Sequence, residues 1–196
     1  MNIVSIDFDI IMKPSIEYYN NVMNKEEAFA SPLMQVCTAD LTIYTKLTKW
    51  LIEMTKEMNA DDIIFIESHE AIINYIPKDP KVRLINIDHH HDVGYHPTDV
   101  DVDLGKNLHC GNWGKYLLKH NLIDDYIWIC NENSQKNYMY SSIKTHYISE
   151  YNLNSLKADK IIICLSNHWV PPQFRTLFYN WMDILSVLKN TIYFLN

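Results

Sequence analysis

Ile85-Asn86-Ile87-Asp88-His89-His90-His91-Asp92 places two carboxylates and three imidazoles in the five residues that follow a short apolar run, Val82 to Ile87. That run predicts a buried strand ending where the polar residues begin. At a strand exit, period-two alternation directs Asp88, His90 and Asp92 to one side and His89 and His91 to the other. One side of the exit then offers oxygen and nitrogen donors together, half of a divalent-metal site. On a solvated loop the same residues would have no evident structural use.

Other apolar runs repeat the pattern along the chain. Strands are expected at Asn2 to Asp9, Asp62 to Glu67, Val82 to Asp88, Asp125 to Cys130 and Lys160 to Ser166. Between them, Ala39 to Met58 carries apolar residues at helical spacing (Leu41, Tyr44, Leu47, Leu51, Met54), and Gly111 to His120 and Phe174 to Leu188 read similarly. Strands alternating with helices predict an α/β fold with a mainly parallel central sheet. Residues 131 to 158, rich in Asn, Ser and Tyr, read as an irregular excursion with short helices. Parallel sheets bind ligands beyond the carboxyl ends of their strands. Asp7 and Asp9, His69, and Asp88 to Asp92 all fall at such ends.

Composition sets the outer limits. The 196 residues suit one domain, 1–196, and no apolar run reaches the length of a membrane span. The chain begins directly with a strand pattern, and its four cysteines (37, 110, 130 and 164) lack paired spacing. Reduced thiols and a cytoplasmic location are therefore expected. A net charge of −7 argues against nucleic acid as the main partner. All four glycines lie between Gly94 and Gly114, and six of the nine histidines lie between His69 and His109. Their overlap marks residues 88 to 114 as the working loop.

Three further constellations join the central one. In Ser5-Ile6-Asp7-Phe8-Asp9, carboxylates one residue apart point to the same side of an extended chain, where a cation relieves their repulsion. In Glu67-Ser68-His69-Glu70, His69 taken alone reads as a helix-start or core histidine. In Asn107-Leu108-His109-Cys110-Gly111-Asn112-Trp113, His109 sits between a glycine-bearing loop and a helix start, suited to moving a proton. Asn112 has an amide able to hold a substrate or cap the helix. Cys110 has no separate base beside it in the sequence and is a poor nucleophile. The oxygen-rich donors with one or two imidazoles suit manganese or a comparable ion better than structural zinc.

Together the motifs resemble those of the arginase-like ureohydrolases, closest to the family whose bacterial members include peptide arginases. The Asp-x-His-x-Asp motif is matched by Asp88, His90 and Asp92, and the Ser-x-Asp-x-Asp motif by Ser5, Asp7 and Asp9. His69 supplies the family's histidine at a strand exit. Asn107-Leu108-His109 matches the segment bearing the catalytic-site histidine, with Cys110 in place of glycine. His69-Glu70-Ala71-Ile72 and Asn112-Trp113 follow the peptide-arginase order. The resemblance covers roughly residues 1 to 130. It implies a three-layer arginase-like fold with permuted motif order, since Ser-x-Asp-x-Asp stands first in the chain rather than late.

The resemblance also implies a chemistry. Two divalent ions, manganese by preference, would be held by His69, Asp88, Asp92 and Asp7 on one side and by Asp88, His90, Asp7 and Asp9 on the other. The implied reaction is hydrolysis of the guanidinium of arginine, in a peptide or as a small guanidino compound, to urea and ornithine. His109 would serve as the proton carrier and Asn112 could hold the substrate by its amide, while no motif places the family's guanidinium-binding carboxylate, for which Glu70 and Asp40 are candidates by location and charge. Deacetylases share that fold with a single zinc, so amide hydrolysis is a related expectation. Ile87-Asp88-His89-His90 also looks like the Asp-His-His motif of a manganese phosphoesterase family. That family has a histidine before its Asp-x-Asp and a basic, glycine-rich C-terminal domain, and this chain has only Arg83 and Arg175 to hold phosphate. A non-catalytic metal-binding protein of the same fold is the remaining expectation.

Overall fold

All five expected apolar runs form strands of one sheet, and the computed structural model adds a sixth. It describes residues 1–13, 37–79, 81–94, 108–134, 136, 143–167 and 169–189. The elements are β1 (Asn2–Asp7), β2 (Met12–Lys13), β3 (Thr38–Ala39), α1 (Leu41–Thr55), β4 (Ile63–Ile66) and β5 (Val82–Ile87). These are followed by α2 (Trp113–Lys119), β6 (Ile123–Cys130), β7 (Lys144–Tyr147), β8 (Lys160–Cys164) and α3 (Arg175–Lys189). The central sheet runs β4-β8-β1-β5-β6-β7 with every neighbouring pair parallel. β2 and β3 form a small separate antiparallel pair.

Helices cover both faces, so the central strands β8, β1 and β5 bury both sets of side chains and read as near-continuous apolar runs. On one face Val4, Ile6, Ile85, Ile87, Ile161 and Ile163 pack against Leu47 and Leu51 of α1 and Phe178, Trp181 and Leu185 of α3. On the other, Ile3, Leu84, Ile162 and Trp128 meet Trp113 and Leu117 of α2 and Ile72 from the 3-10 helix His69–Tyr75. Trp181 centres the first core, edge-on to Phe8 at 4.9 Å and stacked on Tyr44 at 5.3 Å. Removing so large a buried ring costs about 3–5 kcal/mol in comparable cores.

The second face changes character towards the carboxyl ends of the strands. Alternation carries Ile3 into Ser5 and Asp7, Leu84 into Asn86 and Asp88, and Ile162 into Cys164 and Ser166, all on the α2 side. Ser5, Asp7, Asn86, Asp88 and Ser166 are all buried. A buried polar cluster is thus built into the end of an otherwise apolar layer.

Two expectations need correction. β1 stops at Asp7 rather than Asp9, because the Asp7 carboxylate accepts the Asp9 N–H and caps a 3-10 turn over Phe8–Ile11. Within 131–158, Lys144–Tyr147 is a strand rather than irregular chain. Its exposed and half-buried residues alternate at the sheet edge, and among the described residues its ladder partner is β6 alone. No described helix is long and apolar enough to cross a membrane.

Candidate metal centre

The turn after β1 separates the two carboxylates that an extended chain would have aimed together. Asp7 faces His69, whose Nδ1 lies 3.1 Å from Asp7 Oδ2, 3.2 Å from Asp88 Oδ2 and 3.1 Å from Asp92 Oδ2. Asp9 faces His90, with 2.9 Å between Asp9 Oδ2 and His90 Nδ1, while Asp88 Oδ1 lies 3.6 Å from the same nitrogen. Two three-donor groups result, Asp7–His69–Asp88 and Asp9–Asp88–His90, each with its donor atoms within 4.8 Å of one another. Asp88 belongs to both and turns one oxygen to each. Asp7 belongs to the first alone, because its Oδ1 is drawn back to its own turn.

The surroundings orient these donors. Ser5 Oγ lies 2.7 Å from His69 Nε2, and the Ser166 hydroxyl donates to Asp7 Oδ2 at 2.8 Å. Asn86 Nδ2 donates to Asp88 Oδ2 at 3.1 Å, and the His90 N–H donates to Asp88 Oδ1 at 2.7 Å. Trp113 packs its ring 4.7 Å from that of His69. Asp92 occupies the left-handed region at φ 52°, and its carbonyl accepts the N–H of Gly114 at 2.8 Å, tying the loop to the start of α2. Gly114 is required there, since a Cβ would lie 2.9 Å from the Asp92 carbonyl oxygen.

The electrostatics are those of crowded, buried charge. Burial and the neighbouring Asp9 and Asp88 raise Asp7 to about 7, against a smaller opposing pull from His69. Burial, then Asp88, holds Asp92 well above the ordinary range. Burial pushes His69 and His90 down, but the surrounding carboxylates overcome it and raise both well above 6.5. Asp88 resists the upward push of burial and is held well below its usual value by the two imidazoles. Two like charges 4 Å apart repel by about 4 kcal/mol at an effective dielectric near 20, so four adjoining carboxylates call for cations.

Divalent ions fit this donor set on three grounds. Buried His69 Nδ1 and Asp92 Oδ2 face each other without a hydrogen-bond geometry, as donors to a common partner would. Donors about 2.1 Å from a shared cation lie about 3 Å apart at the edges of an octahedron, close to the separations around His69. Finally, four carboxylates with two neutral imidazoles balance two dications in charge.

Every residue singled out in the sequence can be placed except a few. Asn107, His96 and Gly105 lie outside the described residues. Asp7, Asp9, His69, Asp88, His90 and Asp92 converge as above. His89 turns away, with Nε2 2.9 Å from the Met12 carbonyl and Nδ1 3.3 Å from Ser134 Oγ. His91 packs edge-on against Trp128, and its Nδ1 accepts the Val93 N–H. His109 is exposed, and its Nδ1 accepts the Gly111 N–H at 3.1 Å. Asn112 is buried, and its Oδ1 accepts the His109 N–H at 2.9 Å, a role within the loop. Glu70 accepts the Ser68 hydroxyl. Asp40 lies far from a substrate role: it caps α1 through Thr42 and Ile43 and pairs with Lys13 at 2.7 Å.

Cys110 and Trp169 matter more to the site than their sequence positions suggest. The Cys110 thiol is pushed up to about 11, chiefly by burial and then by Asp92, so it stays protonated at neutral pH. Trp169, just beyond β8, is half-buried with its ring 4.9 Å from that of His90. The chain matches no family model, no curated protein and no solved structure.

Proposed function

We propose that this chain is a binuclear metal-dependent hydrolase of C–N bonds, acting on the guanidinium of an arginine side chain to give urea and ornithine. The observation that carries the reading is Asp88, shared between two three-donor groups whose other members come from the end of β1, from the 3-10 turn that follows it, from the 3-10 helix after β4, and from the loop after β5. His69, Asp7, Asp88 and Asp92 would hold one ion, and Asp9, Asp88 and His90 the other, with manganese preferred for this oxygen-rich set. Such ions lower the pKa of water towards neutrality and so supply a nucleophile.

The remaining roles belong to the chain. His109 Nδ1 accepts a backbone N–H, so Nε2 is the nitrogen that would relay a proton from solvent to a leaving amine. Glu70 has one oxygen taken by Ser68, which leaves the other for a guanidinium N–H. Asp40, committed to α1 and Lys13, drops out of the substrate-binding set. The phosphoesterase reading fares worse. Arg83 pairs with Asp125 near the amino end of β5, and Arg175 donates to the carbonyls of Val170 and Asn167. Both guanidiniums are thus engaged by groups of the chain itself, Arg83 by a carboxylate and Arg175 by two backbone carbonyls.

The test is to incubate manganese-loaded protein separately with free arginine, an arginine-containing peptide and a phosphodiester, assaying urea and phosphate. Urea is expected, with the peptide preferred. Phosphate without urea overturns the reading in favour of the phosphoesterase, and neither product overturns it in favour of a metal-binding protein without turnover.

A further inference from the structure

Trp169 stands on a loop fixed with unusual care. Ser166, at φ 53°, accepts the N–H groups of Trp169 and Val170 through its carbonyl at 2.8 and 3.0 Å, while its hydroxyl holds Asp7. From the other side Arg175 grips the same turn, with Nε 3.3 Å from the Val170 carbonyl and Nη2 3.1 Å from that of Asn167. One buried serine therefore joins a proposed ligand to the turn that displays an indole. A guanidinium committed to two backbone carbonyls makes that display rigid.

The ring itself is only half-buried, tilted 44° against His90 with centroids 4.9 Å apart, and it lies beside the Cys110 thiol. Loops from opposite sides of the centre thus meet at Trp169, next to the Asp9–His90 group. An aromatic face there attracts cations through its quadrupole. It also discriminates between them: a guanidinium is flat and weakly hydrated and stacks on the ring, whereas an ammonium is a compact, strongly hydrated point charge.

We infer that Trp169 contacts the substrate and sets its class, selecting a flat delocalised cation over a tetrahedral one of equal charge. This rests on the binuclear reading above and extends it to specificity. Neutral acyl compounds and phosphates gain nothing from such a wall beside four carboxylates.

The test uses manganese-loaded full-length protein and its Trp169→Phe and Trp169→Ala variants. Each is titrated calorimetrically with arginine amide and lysine amide, both blocked at the α-amine, and metal content is measured in parallel. The native chain should hold two metal equivalents and prefer the arginine derivative. Trp169→Phe should keep that preference. Trp169→Ala should keep both metals, bind the arginine derivative about tenfold more weakly and lose most of the preference, in line with a desolvated cation–π contact. Equal weakening of both ligands, or loss of metal in Trp169→Ala, reduces Trp169 to packing and overturns the inference. A native chain with two metals and no preference overturns it while leaving the binuclear reading intact. A native chain that binds no metal overturns the binuclear reading and the inference with it.

Discussion

Ser5 and His69, one on the central strand β1 and the other at the start of the 3-10 helix after β4, meet through a 2.7 Å contact between Oγ and Nε2, both side chains buried. With Ser5 accepting the Nε2 proton, the imidazole in its neutral form would keep its Nδ1 lone pair for a cation shared with Asp7, Asp88 and Asp92. A partner on the far nitrogen of a ligating histidine typically accounts for 10- to 100-fold in metal affinity. Ser5→Ala should therefore weaken binding at the His69 group by about that factor, read by competitive metal titration, and leave the His90 group unaffected. Unchanged affinity at both groups would remove Ser5 from the centre.

Asp88 sets the stoichiometry. It is the one member common to both donor groups, so Asp88→Asn should lose both metal equivalents, whereas His90→Ala should lose the Asp9–His90 ion alone. Elemental analysis of the purified, manganese-dialysed variants distinguishes these outcomes. Two equivalents retained in Asp88→Asn would refute the shared role.

These donors were legible in the sequence because alternation at strand ends is a local rule, and the strands that obey it were bounded within a few residues. Asp9 was not, in its direction. The Asp7 carboxylate caps its own turn, a side-chain choice that backbone periodicity does not encode, and it parts two residues that a strand would align. β7 was missed for a different reason. An edge strand of four residues, half of them exposed, lacks the continuous apolar run by which buried parallel strands are found. Trp169 carries little signal in the linear chain, where a tryptophan after an apolar run reads as a buried strand-end ring before it reads as a groove residue. Its place beside His90 arises because β8 lies next to β1, so that distant loops share one end of the sheet.

Gly114 tests how closely α2 must approach. The Gly114 N–H reaches the Asp92 carbonyl, and an added Cβ would stand 2.9 Å from that oxygen, closer than real contacts allow. Gly114→Ala should push α2 from the loop, lowering stability by about 1–3 kcal/mol as overpacking does, and shifting Asp92. Denaturant melts should show the first effect and metal titration the second. If neither changes, the close approach is not a constraint.

The last prediction concerns pH, and its sign follows from the direction of each shift. Asp7, raised to about 7 by burial and then by Asp9 and Asp88, keeps a proton in the metal-free folded state that the unfolded chain releases near 3.8. Its contribution to stability is full below about 3.8 and is lost as pH rises towards 7. His69 and His90, despite burial, are held well above 6.5 by their carboxylates, so their contribution is full below 6.5 and is lost as pH climbs through their raised values. Asp88 acts oppositely: the imidazoles outweigh burial and depress it, so its contribution stands above 3.8 and fades only in stronger acid. The metal-free centre is thus most favourable in mild acid and grows costly through neutrality, as the unfolded state comes to hold fewer protons than the folded one. Metal reverses the trend, because its ligands must be deprotonated to bind. The gap in Tm between manganese-loaded and chelator-treated protein should therefore widen from pH 5 to pH 8, and manganese binding at pH 6 should release protons, measurable as a dependence of the binding heat on buffer ionisation enthalpy. A constant gap with no proton release would mean that these groups do not exchange protons for metal.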